Sequence, residues 1–329
     1  MLRKQPYFSH CLAASLFAIA MAAGSSACCA DDLPPEERTV LLDLYHSTDG
    51  AHWENRDGWS TPDDEDTPPC TWHGVICEEH WRHVQKLALG SNGLSGELPP
   101  HLAALSELRS LALAGNRLSG AIPSLAGLRK LEYLDLSRNQ LGGRLPDLGD
   151  LVAMQSLHVA DNRLEGPLPS LDAMPHLQFL VIADNRFEGP LPSLVALREL
   201  KELSASGNRF SGTLPALAGM ALLHDVFLES NAFEGALPPL ENLPELRYLR
   251  LGNNRLTGHI PDLAGAPNLQ ELDVHGNRLD GPPPQPPPRM ASARLCPNDL
   301  AHPSADPRSD SRWNAITKTT PWWRDCAGH

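Results

Sequence analysis

One thirteen-residue pattern, Leu-x-Leu-x-x-Asn-x-Leu-x-Gly-x-x-Pro, recurs along most of this chain and limits its fold more than any other feature. A complete copy runs from Leu134 to Pro146, and the asparagine returns after a first step of 24 residues and then after steps of 23. The nine asparagines are Asn92, Asn116, Asn139, Asn162, Asn185, Asn208, Asn231, Asn254 and Asn277. A fixed period of this length predicts a solenoid, in which similar coils stack and each contacts only its neighbours.

The residue types within one copy predict the structure of a coil. Between Leu131 and Leu136 apolar and polar residues alternate, as in a strand with one buried face, and such strands would stack in parallel from coil to coil. The asparagine lies between buried leucines, where an unpaired amide would cost free energy. We therefore expect its side chain to bond backbone groups of its own coil and of the next one. These leucine, asparagine, glycine and proline positions are predicted to be structural.

The spacing of Leu and Asn resembles that of leucine-rich-repeat proteins. The segments DGAHWENRDGW (residues 49–59) and CTWHGVIC (residues 70–77), with the repeated Gly-x-x-Pro, resemble plant-type extracellular members of this group. These members include receptor ectodomains and polygalacturonase inhibitors, and the resemblance covers about residues 36–284. It implies an α/β fold: a curved solenoid of about nine coils with a parallel sheet on its concave face and a helical disulfide-bonded N-terminal cap. A C-terminal cap is predicted from the cysteines and tryptophans of the tail, which does not match the plant-type C-terminal cap.

The chain divides into four predicted segments. Residues 1–30 form a signal peptide, residues 31–83 the N-terminal cap, residues 84–281 nine repeats, and residues 282–329 a proline-rich break with a Cys- and Trp-containing C-terminal cap. The proline run at residues 282–288 is expected to be stiff, to leave the strand ladder and to end the solenoid.

The first thirty residues predict export. Arg3 and Lys4 precede an apolar run from Cys11 to Gly24, which is too short to span a bilayer comfortably. Cleavage after Ala30 predicts a secreted or periplasmic protein. The alternative is an outer-membrane lipoprotein anchored through Cys28. No later stretch of the sequence has the length of apolar residues that a membrane-spanning helix needs.

The cysteine count predicts disulfides. Four of the seven cysteines remain once the signal peptide is removed, two before the repeats and two after them. The simplest pairing joins Cys70 to Cys77 and Cys296 to Cys326. The neighbouring histidines His73, His80 and His83 raise the alternative of a zinc site, but a cysteine pair in an exported cap favours a disulfide, so no metal is predicted.

Charge and composition narrow the function classes. The net charge of −13 becomes −15 without Arg3 and Lys4, so nucleic acid is not an expected partner, whereas a basic partner would be attracted. The sequence contains no convincing catalytic triad, metal-ligand spacing or phosphate loop. We therefore expect neither an enzyme nor a cofactor, and we expect a monomer.

The residues free to vary lie between the buried leucines of each strand, on the predicted concave face. Large or charged side chains appear there from the third coil onward, and such residues are typical of binding hot spots. The predicted ligand-binding residues are Tyr133, Asp135, His158, Phe179, Val181, Asp225, Phe227, Tyr248 and Arg250. The expected ligand is a protein or a peptide.

Two other functions remain alternatives. The resemblance to polygalacturonase inhibitors suggests inhibition of an extracellular hydrolase. Trp322 and Trp323 suggest a glycan-binding or cell-wall adhesin, although a lid over the last coil is the favoured role for these tryptophans.

Two further patterns concern the surface and the origin of the chain. The arginines that follow the repeat asparagines alternate with glutamates and are expected to form a solvated, internally paired face. The excess of Arg over Lys and the absence of Asn-x-Ser/Thr favour a Gram-negative bacterial protein with a plant-like repeat.

Overall fold

The computed structural model describes residues 33–59, 67–78, 82–303 and 306–326, and it shows the repeated segment as a stack of coils. The predicted signal peptide, including Cys28, lies outside these residues. Two helices occur in the described residues, α1 at Pro35–Ser47 and α2 at Pro307–Thr317, together with three short 3₁₀ turns at Gly50–His52, Pro69–Thr71 and Leu102–Ala104. None of the described helices has the length and apolar character needed to cross a membrane.

Twenty short strands account for most of the regular structure in the described residues. In chain order they are β1 Val75–Cys77, β2 Val84–Ala88, β3 Ser95–Glu97, β4 Ser110–Ala112, β5 Arg117–Ser119, β6 Tyr133–Asp135, β7 Gly142–Gly143, β8 Ser156–His158, β9 Arg163–Gly166, β10 Phe179–Val181, β11 Arg186–Gly189, β12 Glu202–Ser204, β13 Arg209–Thr213, β14 Asp225–Phe227, β15 Ala232–Gly235, β16 Tyr248–Arg250, β17 Arg255–His259, β18 Glu271–Asp273, β19 Arg278–Asp280 and β20 Ser292–Arg294.

These strands form two main sheets, and each coil from the third to the ninth contributes one strand to both. The long sheet contains β1 and β2 and then every even-numbered strand to β20, and its pairs from β2 onward are parallel. The short sheet contains the odd-numbered strands β7 to β19, and β3 and β5 form a separate parallel pair. The predicted α/β leucine-rich-repeat solenoid with a parallel sheet is confirmed.

The core runs as a continuous apolar column through the coils. The central leucine or valine of each regular long-sheet strand is fully buried, as Leu134, Leu180 and Val226 illustrate. The residue two places after each repeat asparagine is also buried, and Phe187, Phe210 and Phe233 stack there with ring centroids 6.0 and 6.1 Å apart. Because the period is constant, each apolar side chain packs against the equivalent side chain of the next coil.

The asparagine ladder fastens each coil to the one before it. The Oδ1 atom of Asn208 accepts a hydrogen bond from the backbone N–H of Phe187 at 3.0 Å. Its Nδ2 atom donates to the carbonyl oxygens of Ile182 at 3.0 Å and Ala205 at 3.2 Å. The prediction that each asparagine bonds its own coil is confirmed, but the prediction that it reaches the next coil is wrong. The partners Ile182 and Phe187 belong to the preceding coil, in which Ile182 follows β10 directly and Phe187 lies in β11.

The N-terminal cap takes the place of a preceding coil. The side chain of Asn92 accepts from the N–H of Asn55 and donates to its carbonyl oxygen, so the first ladder position holds the cap. Strand β1 extends the long sheet by pairing antiparallel with β2. The buried rings of Trp53 and Trp59 pack against Tyr45 of α1, and the buried ring of Trp72 packs against Trp59.

Helix α1 is the helical part of the N-terminal cap. It begins at Pro35, carries Glu36 and Glu37 in its first turn, and buries Val40, Leu41, Leu44 and Tyr45. The carboxylate of Glu37 is itself buried, where it accepts from the N–H of Val84 at 2.8 Å and lies 2.7 Å from His83 Nδ1. The predicted disulfide Cys70–Cys77 is present, which excludes the zinc alternative for these two thiols.

The ladder continues beyond the proline run. Strand β20 pairs in parallel with β18, and Asn298 accepts from the N–H of Leu279 at 2.9 Å. The prediction that residues 282–288 end the solenoid is therefore wrong. The prolines lie outside both sheets, in the part of the coil that returns to the next strand, where no ladder donor is required.

A disulfide-linked segment covers the last coil. Trp313 and Trp322 are buried, with their indole N–H groups bonded to the carbonyl of Pro284 and to Asp310 Oδ1. The predicted Cys296–Cys326 bond is present. The lid role favoured for these tryptophans agrees with this packing, and Trp322 has no exposed ring face for a sugar.

Removing one rung of the ladder should destabilise the solenoid. Since each buried backbone group left unpaired costs about 1–3 kcal/mol, we expect Asn208→Ala to lower the free energy of unfolding by about 3 kcal/mol. Urea denaturation followed by circular dichroism measures this change. The exposed neighbour gives the control Arg209→Ala, which should stay within about 0.5 kcal/mol of the unmodified protein. Equal denaturation midpoints for the two variants would contradict the role given to the ladder.

Candidate functional site

The outer face of the long sheet presents two rows of side chains. In the regular strands the middle residue is buried and the two flanking residues are partly exposed. The register aligns equivalent residues of successive coils, for example Asp225 with Tyr248 and Phe227 with Arg250. All nine predicted ligand-binding residues lie on this face at flanking positions, although their side chains fall into separate groups.

The first group joins the third and fourth coils. The hydroxyl of Tyr133 donates to Asp135 Oδ2 at 3.1 Å, and the ring of Tyr133 lies 5.8 Å from that of His158. Burial lowers the pKa of His158, although the carboxylate of Asp135 acts in the opposite sense. Burial, together with Asp135, raises the pKa of Tyr133. This group is therefore a neutral imidazole beside a phenol at neutral pH, and it offers more ring surface than charge.

The fifth coil adds apolar surface next to this group. Phe179 and Val181 flank the buried Leu180, and β10 pairs with the His158 strand on one side and with β12 on the other. The ammonium group of Lys201 lies 5.9 Å from the centroid of the Phe179 ring and donates to Gln178 at 2.8 Å. We call Tyr133, His158, Phe179 and Val181 the apolar segment of the face.

Carboxylates dominate the face from the sixth coil onward. We call Glu202, Asp225, Glu229, Glu271 and Asp273 the acidic segment. Glu202 and Asp225 lie directly opposite each other on neighbouring strands. Burial, and then the charge of Asp225, raise the pKa of Glu202. Like charges in this position oppose folding, so this pair is not explained by the stability of the sheet.

Arg250 is the cation most closely surrounded by these acids. Its guanidinium group makes two hydrogen bonds to Glu271, at 2.7 and 3.2 Å, and its Cζ atom lies 5.1 Å from the centroid of the Phe227 ring. The hydrogen bond to Glu271 raises the pKa of Arg250. Arg250 is thus already paired within the chain, which the sequence did not predict.

A third row of outward residues was missed because it follows the strands. Ser206 and Glu229 lie two residues beyond β12 and β14 and continue the alternation of the outward positions. In the part of the chain that the structure describes, the buried atoms Ser206 Oγ, Asp225 Oδ1 and Glu229 Oε2 have no hydrogen-bond partner. Extending the period of two past the predicted strand ends would have found these positions.

The short sheet carries the exposed arginine row that follows the asparagines. Arg186 and Arg209 lie opposite Glu165 and Glu188, as the sequence alternation suggests. Among the described residues, however, none of these pairs forms a close ion pair, so the expected face is solvated but not internally paired. A cavity of about 740 Å³ beside the C-terminal segment is lined by Arg255, Arg278 and ladder amides that are already bonded.

The long-sheet face is therefore the candidate site, and its chemistry is that of binding. It combines aromatic rings, carboxylates and buried oxygen atoms that have no hydrogen-bond partner in the described residues. In the described residues, no group of three or more His, Cys, Asp and Glu side chains has an arrangement suited to a metal ion.

Family comparisons agree with the fold. A Leucine rich repeat model matches residues 82–141, and a second Leucine Rich Repeat model matches residues 245–265 and 268–290. The model of the Leucine rich repeat N-terminal domain matches residues 34–78, which include α1 and the first disulfide.

Individual similar proteins come from plants. Protein MALE DISCOVERER 1 of Arabidopsis thaliana is 40% identical over 88 residues, which are 27% of this chain and 12% of that protein. The chain therefore matches a small part of that relative's length. The expected bacterial origin has no support in these comparisons.

Two solved structures resemble most of the chain. The crystal structure of PEPR1–AtPEP1 has a TM-score of 0.70 at 30% identity, covering 80% of this chain and 42% of that one. The ectodomain of the Arabidopsis thaliana receptor kinase GASSHO1/SCHENGEN3, in complex with CASPARIAN STRIP INTEGRITY FACTOR 2, has a TM-score of 0.65 at 30% identity, covering 80% of this chain and 36% of that one.

Neutralising Glu202 should stabilise the protein. Because its folded-state pKa is raised, the ionised carboxylate opposes folding above that pKa, and the penalty disappears as the pH falls towards the unfolded value near 4.5. We expect Glu202→Gln to raise the free energy of unfolding at pH 7 by about 0.2–1 kcal/mol, a range that allows for solvent screening. The gain should stay constant well above the folded-state pKa and disappear as the pH falls through that pKa to the unfolded value near 4.5.

Urea titrations at several pH values measure this effect. Glu188→Gln, an exposed change on the short sheet, is the matched control and should change stability by less than about 0.5 kcal/mol. A loss of stability in Glu202→Gln at pH 7 would show that Glu202 is favourably paired, contrary to this account.

Proposed function

We propose that this chain, which has a leucine-rich-repeat fold and is similar to plant receptor ectodomains of that fold, is a non-enzymatic recognition module that binds a peptide or protein on the outer face of its long sheet. The observation that carries this proposal is the row of partly exposed rings and charges that interrupts an otherwise regular scaffold. Such side chains supply much of the binding energy at protein interfaces.

The similar structures support a peptide in particular. Another of them, at 32% identity and a TM-score of 0.61, is the plant peptide hormone receptor RGFR1 in complex with RGF2. For this chain we propose a ligand that lies across the coils and contacts Phe179, Val181, Phe227 and Tyr248. We further propose that recognition takes place outside the cell, after export.

The alternative functions have weaker support. The adhesin hypothesis relied on Trp322 and Trp323, but Trp322 is only 2% exposed and its indole N–H is bonded to Asp310. No observation on the described residues favours inhibition of a hydrolase over general peptide recognition. Both alternatives predict an activity that can be assayed separately, by retention on a polysaccharide resin or by inhibition of a hydrolase.

Removing two rings from the face should abolish most of the binding. We would select ligands from a displayed library of random peptides with the full chain, and then measure the affinity of a selected peptide by titration. Replacing Phe227 and Tyr248 together by alanine should weaken binding at least tenfold, because hot-spot side chains contribute about 1–2 kcal/mol or more each. The measurement is the dissociation constant of the same peptide for both proteins.

A control variant removes similar apolar surface elsewhere. Val195 and Leu222 are 62% and 44% exposed and lie outside the long sheet. Their double replacement by alanine should leave the affinity unchanged. If both double variants bind the peptide as well as the unmodified protein does, the long-sheet face is not the binding site.

A further inference from the structure

The long-sheet face changes character at a defined boundary. Phe179 and Val181 in β10 end the apolar segment, and their register partners in β12 are Glu202 and Ser204. The next partners along the sheet are Asp225 and Phe227. One step between coils thus separates apolar surface from carboxylates, and strands in a sheet are about 4.8 Å apart.

On the acidic side of this boundary, three buried oxygen atoms have no hydrogen-bond partner in the described residues. The carboxylate of Asp225 uses Oδ2 to pair with His224 Nδ1 at 2.9 Å, whereas its buried Oδ1 atom has no partner in the described residues. The buried atoms Ser206 Oγ and Glu229 Oε2 are in the same state. The Ser206 hydroxyl can donate or accept, whereas the carboxylate oxygens of Asp225 and Glu229 can only accept. A buried carboxylate oxygen without a donor is costly, so this face is suited to a ligand that brings donors.

The cations of the chain that face this region are engaged elsewhere. Arg250 is bonded to Glu271 and packs on Phe227, and Lys201 donates to Gln178 and lies over Phe179. Only His224 pairs with the Glu202–Asp225 couple among the described residues, through a single oxygen of Asp225. The chain itself therefore leaves this carboxylate pair without a full counter-charge.

We propose that the ligand presents a lysine or arginine side chain to Glu202 and Asp225, and an apolar side chain to Phe179 and Val181. This inference rests on the proposed function and specifies its ligand. In an extended peptide, alternate residues point to the same side and lie about 7 Å apart, which is between one and two coil spacings. The recognised pattern is accordingly apolar-x-basic, read in either chain direction.

Rings beside the carboxylates fit the same ligand group. Phe227 and Tyr248 flank Asp225 on its own strand and on the neighbouring one, and aromatic faces attract the cationic head of lysine or arginine while packing against its methylene stem. The excess negative charge of the whole chain also attracts a basic peptide during encounter. Arginine would use its planar fork on two carboxylates at once, and lysine would act as a point charge.

The test compares two synthetic peptides on three proteins. The first peptide is a ligand selected from a random displayed library with the full chain, and the second has its basic residue replaced by methionine. The proteins are the unmodified chain, the double variant Glu202→Gln with Asp225→Asn, and the control Glu165→Gln with Glu188→Gln, which makes the same charge change on the short sheet. Thermal denaturation verifies that each protein is folded.

We expect the affinity to depend on both the basic residue of the peptide and the two carboxylates of the protein. Selected peptides should be enriched in apolar-x-basic patterns, and the methionine peptide should bind the unmodified protein at least tenfold more weakly than its parent. The Glu202→Gln and Asp225→Asn variant should lose at least tenfold in affinity for the basic peptide and less than threefold for the methionine peptide. The control variant should bind both peptides as the unmodified protein does.

Two results would overturn the proposal, and they are distinguishable. If peptides bind at the Phe227 and Tyr248 surface without any preference for a basic residue, the inference fails and the proposed function stands. If no peptide is enriched by the full chain, the proposed function fails and the inference fails with it.

Discussion

The buried asparagine amide is the interaction on which this structure depends. An amide in an apolar column is tolerable only when its donors and acceptor are bonded, and each repeat meets this condition by using the backbone of the preceding coil. A coil is therefore incomplete without its predecessor. Asn92 has no earlier repeat and bonds Asn55 of the cap, and Asn298 carries the ladder past the last full repeat. The cap and the C-terminal segment are therefore bonded to their neighbouring coils in the same way as the coils are bonded to each other.

This dependence separates the residues that hold the fold from those that can vary. Leucine, asparagine, glycine and proline recur because every coil needs them, whereas the flanking residues of the long-sheet strands contact solvent. A rigid spacing then brings distant parts of the chain into fixed rows. Asp225 lies beside Glu202 only because a period of 23 residues aligns their strands. Such a scaffold can bear an unfavourable pair of like charges, since its stability comes from the column behind them.

The arrangement of charges on the long-sheet face is suited to binding a ligand. The chain pairs Arg250 with Glu271 and so fixes one guanidinium group against Phe227. It leaves an oxygen of Asp225 and one of Glu229 buried and without donors in the described residues. The first arrangement positions a ring, and the second leaves room for an incoming donor. Together they favour a ligand that contributes both an apolar and a basic side chain.

The sequence alone determined both disulfides through its cysteine count. It also determined the period, and through it the coils, the parallel register and the rows of outward residues. These follow because a repeated pattern of buried leucines admits a single alignment of equivalent strands. Tertiary structure alone decided three matters: the ladder reaches backward, residues 282–288 lie within a further coil, and Arg250 is paired while Asp225 is only half satisfied. A repeat fixes which positions meet. It does not fix which of several neighbouring polar groups a side chain bonds, because that choice depends on the three-dimensional positions of groups 21 to 26 residues apart.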